Sequence, residues 1–144
     1  MFSYRENENL TFEEYCDFLT RSDLGEQYPK EDFHERIKRL LMTRSVSITA
    51  RNSEGKLVGI AFGITDFVYF LFITDLGVDR EYTKQGIGKE LLYHLEEAVS
   101  KEYDITVVTI SHVTARDFYK KCGYVSEDFL VWKPASSLEE IQSV

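Results

Sequence analysis

Cysteine and proline are scarce in this chain, and each scarcity excludes something. The two cysteines, Cys16 and Cys122, form neither a metal-ligand cluster nor a disulfide framework. No metal is expected, and reduced thiols suit a cytoplasmic setting. The two prolines, Pro29 and Pro134, leave the long middle of the chain without a rigid break. No apolar run approaches the roughly 20 residues of a membrane span, and residues 1–8 hold no apolar stretch of a secretory leader. Basic residues are outnumbered: 17 Lys and Arg against 25 Asp and Glu give a net charge of −8. A protein whose task is gripping nucleic acid needs the opposite balance. Neither nucleic acid nor a membrane is an expected partner. The acidity is compatible with a cationic amine drawn to an acidic cleft, and equally with solubility alone.

What is present is enough to build a core. The 144 residues fit one domain, and 43% hydrophobic with 14% aromatic content can fill it. The expected domain is 1–134, with 135–144 as a frayed or helical tail; no repeat or linker is visible. Phe2 and Tyr4 alternate with polar residues as a short strand. Thr11 and Glu14 have capping-box spacing ahead of a helix whose apolar face is Phe12, Tyr15, Cys16 and Leu19. That helix is expected to stop near residues 23–25. Pro29 suits the first turn of a second helix, with Phe33, Ile37, Leu40 and Leu41 inward and Glu35 with Arg39 as an exposed pair. Strands are expected at 45–50, 56–64 and 67–77, as an antiparallel meander. In the second of these Gly59, Ala61 and Gly63 share one face, so a helix or a ligand should pack close there. A helix over 86–100, a buried strand at 105–110, a short helix ending at Gly123 and a last strand at 124–132 complete the order βααβββαβαβ. Val125, Phe129 and Val131 are core candidates on that last strand. Strand–helix–strand in the second half predicts a parallel crossover.

The stretch from Asp75 to Leu92 organises the rest. An apolar run enters it, and Ile87, Leu91, Leu92, Leu95, Ala98 and Val99 leave it on one helical face. Gly86 and Gly88 lie where the helix starts. The first N–H groups of a helix lack intrahelical partners and carry partial positive charge, and glycine permits close approach, so a phosphate cradle can form there. The alternative is an ordinary loop whose glycines serve turning. Two familiar phosphate loops are excluded. Thr83 stands where a Walker loop needs its first glycine and Glu90 where it needs Ser or Thr; Leu91 stands where a dinucleotide fingerprint needs its third glycine. An anion there requires a local basic rim, for which Arg80, Lys84, Lys89 and Lys121 are candidates.

The segment Leu76-x-Val78…Gln85-Gly86-Ile87-Gly88-x-x-Leu91-Leu92 resembles the signature of the GNAT acyl-CoA N-acetyltransferase superfamily. Ala115-x-x-Phe118-Tyr119-x-x-x-Gly123-Tyr124 resembles that family's later helix. The resemblance covers roughly 2–133, with its specific residues in 75–92 and 115–124. It implies an α+β fold, a mixed sheet flanked by helices that splays between its fourth and fifth strands. It implies that Thr83, Lys84, Gln85, Gly86, Ile87, Gly88 and Lys89 hold the coenzyme A pyrophosphate, and that Leu76, Gly77 and Val78 line the thioester and supply a backbone N–H for the oxyanion. The implied reaction passes an acetyl group from acetyl-CoA to a primary amine of a small molecule or peptide, by direct attack through a tetrahedral intermediate. Tyr119 is the candidate acid for the departing thiolate, with a packed core aromatic as its other reading. Asp75 is the candidate for orienting or deprotonating the amine, with a solvated strand end as its other reading; Asp66 and Glu81 are weaker. The acidic, polar segment 20–32 favours a cationic acceptor. Thr83, His112 and Arg80 depart from the family pattern, where a long polar residue, an asparagine and a proline are usual. His112 reads as a capping or surface residue and Cys122 as a packed thiol. Two other classes stay open: a catalytically silent acyl-CoA-binding module, and a homodimer-forming domain whose tail meets its partner.

Overall fold

The structure, a computed structural model, describes residues 1–135; the expected tail lies outside the described residues but for its first position. A five-stranded sheet carries the fold, in the order β1 (Ser3–Glu6), β2 (Val46–Arg51), β3 (Leu57–Thr65), β4 (Phe70–Val78) and β5 (Thr106–Thr109). The first three pairings are antiparallel and β4 with β5 is parallel. The meander, the crossover and the mixed α+β class are therefore as the sequence predicts. Four helices flank the sheet: α1 (Phe12–Thr20), α2 (Phe33–Thr43), α3 (Ile87–Val99) and α4 (Arg116–Lys121).

Local chemistry sets the ends of these elements. The Thr11 hydroxyl accepts the Glu14 N–H at 3.1 Å and caps α1. Glu14 does not close a capping box; its carboxylate is taken by Arg51, 2.8 Å away. The start of α2 differs from expectation. Asp32 adopts a left-handed φ of 51°, so the chain turns once more before the helix begins at Phe33, and Pro29 stays outside it. The Glu35–Arg39 pair forms at 3.2 Å. The chain reaches β4 later than expected, because Asp66 accepts the N–H groups of Val68, Tyr69 and Phe70 and spends those residues in a turn. Asp66 is thus the builder of this turn. At the end of α4, Gly123 takes φ of 94° and the Tyr124 N–H returns to the Tyr119 carbonyl at 3.0 Å, a left-handed helix stop that favours glycine.

Each face of the sheet has its own core. On one, Ile87, Leu91, Leu92 and Leu95 of α3 bury against Val46, Ile48, Ala61 and Leu71. On the other, Tyr15, Phe18 and Leu19 of α1, with Leu24 and Ile37, bury against Leu57, Ile60 and Phe62. Each such side chain contributes about 1.5–3 kcal/mol relative to exposure. The small face of β3 is explained by a helix. A Cβ on Gly59 would stand 2.9 Å from Leu91 Cδ1 and 3.0 Å from Ile87 Cγ2, so the missing side chain seats the first turn of α3 on the sheet.

The expected last strand is absent among the described residues. Residues 124–132 carry no strand pairing, and Val125, Phe129 and Val131 are 80%, 75% and 94% exposed instead of core. The physical reason is legible afterwards: Ser126, Glu127 and Asp128 interrupt the apolar alternation, and a strand without an unbroken face has little to bury.

Candidate active site

The site is made by one irregularity in β4. Phe62 pairs with Asp75 and Gly63 pairs with Ile73, which leaves Thr74 opposite nothing. This extra residue is a β-bulge, and it reverses the alternation of faces beyond it. Ile73 belongs to the α3 core. Asp75, two residues on, points to the other face, where its neighbours are Tyr28 and Phe62. Leu76 and Val78 return to the α3 side. A second consequence is separation. β5 pairs with β4 only as far as Ile73 and Thr109, so β4 from Thr74 to Val78 runs on with its β5 side open. This is the splay that the resemblance implies. Gly77 packs under the turn at Asp23–Gln27, where a Cβ would stand 3.0 Å from Leu24.

The chain leaving β4 is tied down before it reaches α3. Asp79, 1% exposed, forms an ion pair with Arg21 and accepts the Glu81 N–H at 2.9 Å. The Arg80 N–H donates to the Arg21 carbonyl at 2.8 Å, a bond that the family's usual proline could not make. The Arg80 guanidinium reaches Asp23 at 2.7 Å and the carbonyls of Thr20 and Ser22. Arg80 therefore braces α1 and leaves the basic rim. Thr83 turns its hydroxyl to the Arg80 carbonyl at 3.2 Å, and Glu81 is exposed beside it. Lys84 and Gly86 both hold left-handed φ, 64° and 84°. Gly86 caps α3 with no side chain, its carbonyl accepting the Glu90 N–H at 3.0 Å, and nothing lies within 4 Å of where its Cβ would be. The N–H groups of Ile87, Gly88 and Lys89 begin the helix without partners inside it. Gly88 has a second reason to be glycine: a Cβ there would meet Phe118 of α4 at 3.1 Å. Gln85, Lys84 and Lys89 are exposed around this end.

On the other face Asp75 is 6% exposed. Its Oδ1 accepts from the Tyr28 hydroxyl at 2.6 Å and its Oδ2 from the Thr74 hydroxyl at 2.6 Å. The Tyr28 hydrogen is then used, so the hydroxyl of buried Tyr15, 2.5 Å from Tyr28, is the donor between the two phenols. The order is Tyr15 to Tyr28 to Asp75. Burial pushes the Asp75 pKa up against the pull of these two hydroxyls. Burial also raises both phenols, so each stays protonated. Asp75, Thr74 and Tyr28 line a cavity of about 540 Å³ that extends past Phe72 and Ile110 to Trp132. Asp75 is thus a buried, hydrogen-bonded carboxyl on a cavity wall, not a solvated strand end.

Tyr119 lies on the opposite side of the sheet. It packs on the α3 core beside Phe118 and Tyr124. Burial raises its pKa. Thr109, which donates to the Ile73 carbonyl at 3.1 Å, is the last paired residue before the strands part. Tyr119 and Asp75 therefore approach the splay from opposite faces. His112 accepts the Thr114 N–H at 3.3 Å on Nδ1 and caps the turn before α4, as expected of a lone capping histidine. Burial raises the Cys122 pKa against the charge of Lys89, which keeps a protonated thiol. Lys121 is exposed on α4. Among the described residues no group of three side chains could hold a metal, and no helix is long and apolar enough to cross a membrane. Sequence reasoning missed Thr74, Tyr28 and Tyr15. Tyr15 gave one signal, a hydroxyl on an otherwise apolar helical face.

Comparison with known proteins bears on the family and the fold. The model of the acetyltransferase (GNAT) family matches residues 9–124. GCN5-related N-acetyltransferase 2, chloroplastic, from Arabidopsis thaliana is 30% identical over 77 residues, which are 54% of this chain and 30% of that protein; the match thus spans under a third of the relative's length. A probable acetyltransferase of unknown function from methicillin-resistant Staphylococcus aureus superposes with a TM-score of 0.73 at 21% identity, covering 92% of this chain and all of the other. A GNAT-family N-acetyltransferase from Escherichia coli, solved in complex with CoA, gives 0.64 at 18% identity, covering 85% of this chain and 67% of the other. At such identities these structures speak for the fold, and the family model spans most of the chain: the protein is a member of the acetyltransferase (GNAT) family.

Proposed function

We propose that this protein is an N-acetyltransferase that moves an acetyl group from acetyl-CoA to a primary amine. The observation that carries the reading is the opening of β4 from β5 beyond Ile73 and Thr109. One gap has the uncapped start of α3 toward one face and the Asp75 cavity on the other. The residues fit the coenzyme. Free N–H groups at 87–89, the open space at Gly86, and Lys84 with Lys89 suit a diphosphate. The free edge of β4 suits an amide-bearing arm that adds to the sheet as a strand does. Acetyl-CoA supplies the activated acyl group, and the amine attacks its carbonyl directly through a tetrahedral intermediate.

The chain's own residues manage the protons. An alkyl ammonium must lose a proton before it can attack. Asp75, with its pKa raised by burial, is a stronger base than a solvated carboxylate, and Tyr28 and Thr74 hold its two oxygens in place. A backbone N–H within 76–78 faces the developing oxyanion. Tyr119, protonated at neutral pH, donates to the departing sulfur. The test is thiol release from acetyl-CoA against a panel of amines, in wild type, Tyr119→Phe and Asp75→Asn. Release that requires an amine, and falls in both variants, supports the reading. Tight coenzyme binding without release on any amine refutes it in favour of a silent binding module, and unchanged turnover of Tyr119→Phe across pH removes that residue's role.

A further inference from the structure

We infer that the acceptor is an amine that also carries an anionic group, held by Arg36 while its nitrogen faces Asp75; this rests on the acyl-transfer reading above. The charges around the cavity run against those of the chain. The protein carries a net −8, yet the charged side chains lining this cavity are Arg36, Lys133 and a single carboxyl, Asp75. That carboxyl is nearly buried and already accepts two hydroxyl hydrogens. Of the acidic residues of segment 20–32, Asp23 is engaged with Arg80, and none of Asp23, Glu26, Glu31 and Asp32 lines the cavity. Among the described residues Arg36 has no carboxylate within ion-pair distance, and neither has Lys133.

The backbone of Arg36 is held by the helix, and its exposed side chain is free to meet a ligand. Arg36 stands in the first turn of α2 beside Ile37, which is 2% exposed and anchors the helix in the core. A guanidinium fork matches the two oxygens of a carboxylate or phosphate better than any other side chain does. The rest of the lining is mainly apolar, with Phe72, Ile110, Val113 and Trp132 partly exposed, and carries the uncharged polar side chains of Gln27 and Ser111 and the imidazole of His112. A volume near 540 Å³ suits a small molecule. Two unlike polar ends with an apolar span between them describe an amine whose far end is a carboxylate or a phosphate. A polyamine would set its second ammonium against Arg36 and Lys133.

Matched acceptors test this by thiol release from acetyl-CoA. 6-Aminohexanoate, 6-aminohexanamide and 1,6-diaminohexane share one skeleton and differ at the far end; O-phosphoethanolamine and ethanolamine form the phosphate arm. The expected result is kcat/KM about tenfold or more higher for the anionic member of at least one arm, and which arm responds separates carboxylate from phosphate. Arg36→Gln should abolish that preference, raising KM for the anionic member about tenfold or more and affecting the neutral member much less. Arg39→Gln, on the same helix but paired with Glu35, should keep it. Turnover in which neutral or dicationic members match the anionic ones, or a preference that survives Arg36→Gln, overturns the inference and leaves acyl transfer standing. No release with any amine, while calorimetry registers coenzyme binding, overturns acyl transfer and this inference with it.

Discussion

Removing the Tyr28 hydroxyl should damage the protein more than the loss of one hydrogen bond suggests, and a second removal should give part of it back. In Tyr28→Phe the Asp75 carboxylate loses a 2.6 Å donor. Hydrogen bonds to charged groups contribute about 1.5–3 kcal/mol. The variant also orphans Tyr15, which is fully buried and whose hydroxyl has Tyr28 as its partner; an unsatisfied buried hydroxyl costs about 1–3 kcal/mol. Tyr28 itself is only half-buried and borders the cavity, so entering water repairs some of this, and about 2–4 kcal/mol is the expected loss. Tyr15→Phe alone breaks a neutral bond and should cost about 0.5–1.5 kcal/mol. The double variant leaves no orphan, so its loss should fall short of the sum by about 1–2 kcal/mol. Urea unfolding of the four proteins at pH 7 measures this. Tyr28 favours the charged form of Asp75, so its removal should cost less at pH values where Asp75 is protonated. Additivity within about 0.5 kcal/mol, or a Tyr28→Phe loss at pH 7 that does not shrink in acid where Asp75 is protonated, would falsify the relay.

Asp75→Asn should lower kcat/KM by about 10²-fold or more and flatten the acid limb of the pH profile. Because burial raises the folded-state pKa of Asp75, the wild type should gain stability relative to this variant as pH falls from neutral through that raised value, reaching its full gain below the unfolded value; a difference independent of pH would contradict the assignment. Gly59→Ala should cost about 1–3 kcal/mol, because its Cβ meets Leu91 and Ile87 near 3 Å, and should weaken coenzyme binding by shifting the start of α3; an unchanged urea midpoint speaks against that close seat. Lys84→Ala should reduce coenzyme affinity and the salt dependence of binding, while unfolding stays within about 0.5 kcal/mol of wild type, as calorimetry at two salt concentrations would register.

Local signals made most of the fold legible. Thr11 before α1, Gly123 after α4, and the spacing of Ile87, Leu91, Leu92 and Leu95 each act within a few residues of themselves, and each stands where the sequence places it. The small residues of β3 announced a close neighbour, and α3 is that neighbour. Misreadings arose where a local pattern needed a distant partner. Pro29 suits a helix start, yet the chain turns again at Asp32. Residues 124–132 have strand-forming side chains, yet among the described residues they carry no strand pairing.

The sequence by itself determined the order of elements as far as α4, the inward faces of α1, α2 and α3, and the glycine-led start of α3, because periodicity, caps and turn chemistry are written in neighbouring residues. Only the tertiary structure decided which way Asp75 faces. An even count from Ile73 puts both on one side of the sheet, but the register of β4 against β3 inserts Thr74 and turns the carboxyl toward Tyr28. The same holds for Arg80, which the chain's order places beside a phosphate loop and the fold commits to Asp23 and the end of α1. Strand register and ion-pair choice are settled between residues far apart in the chain, and no short window of sequence contains both sides of that competition.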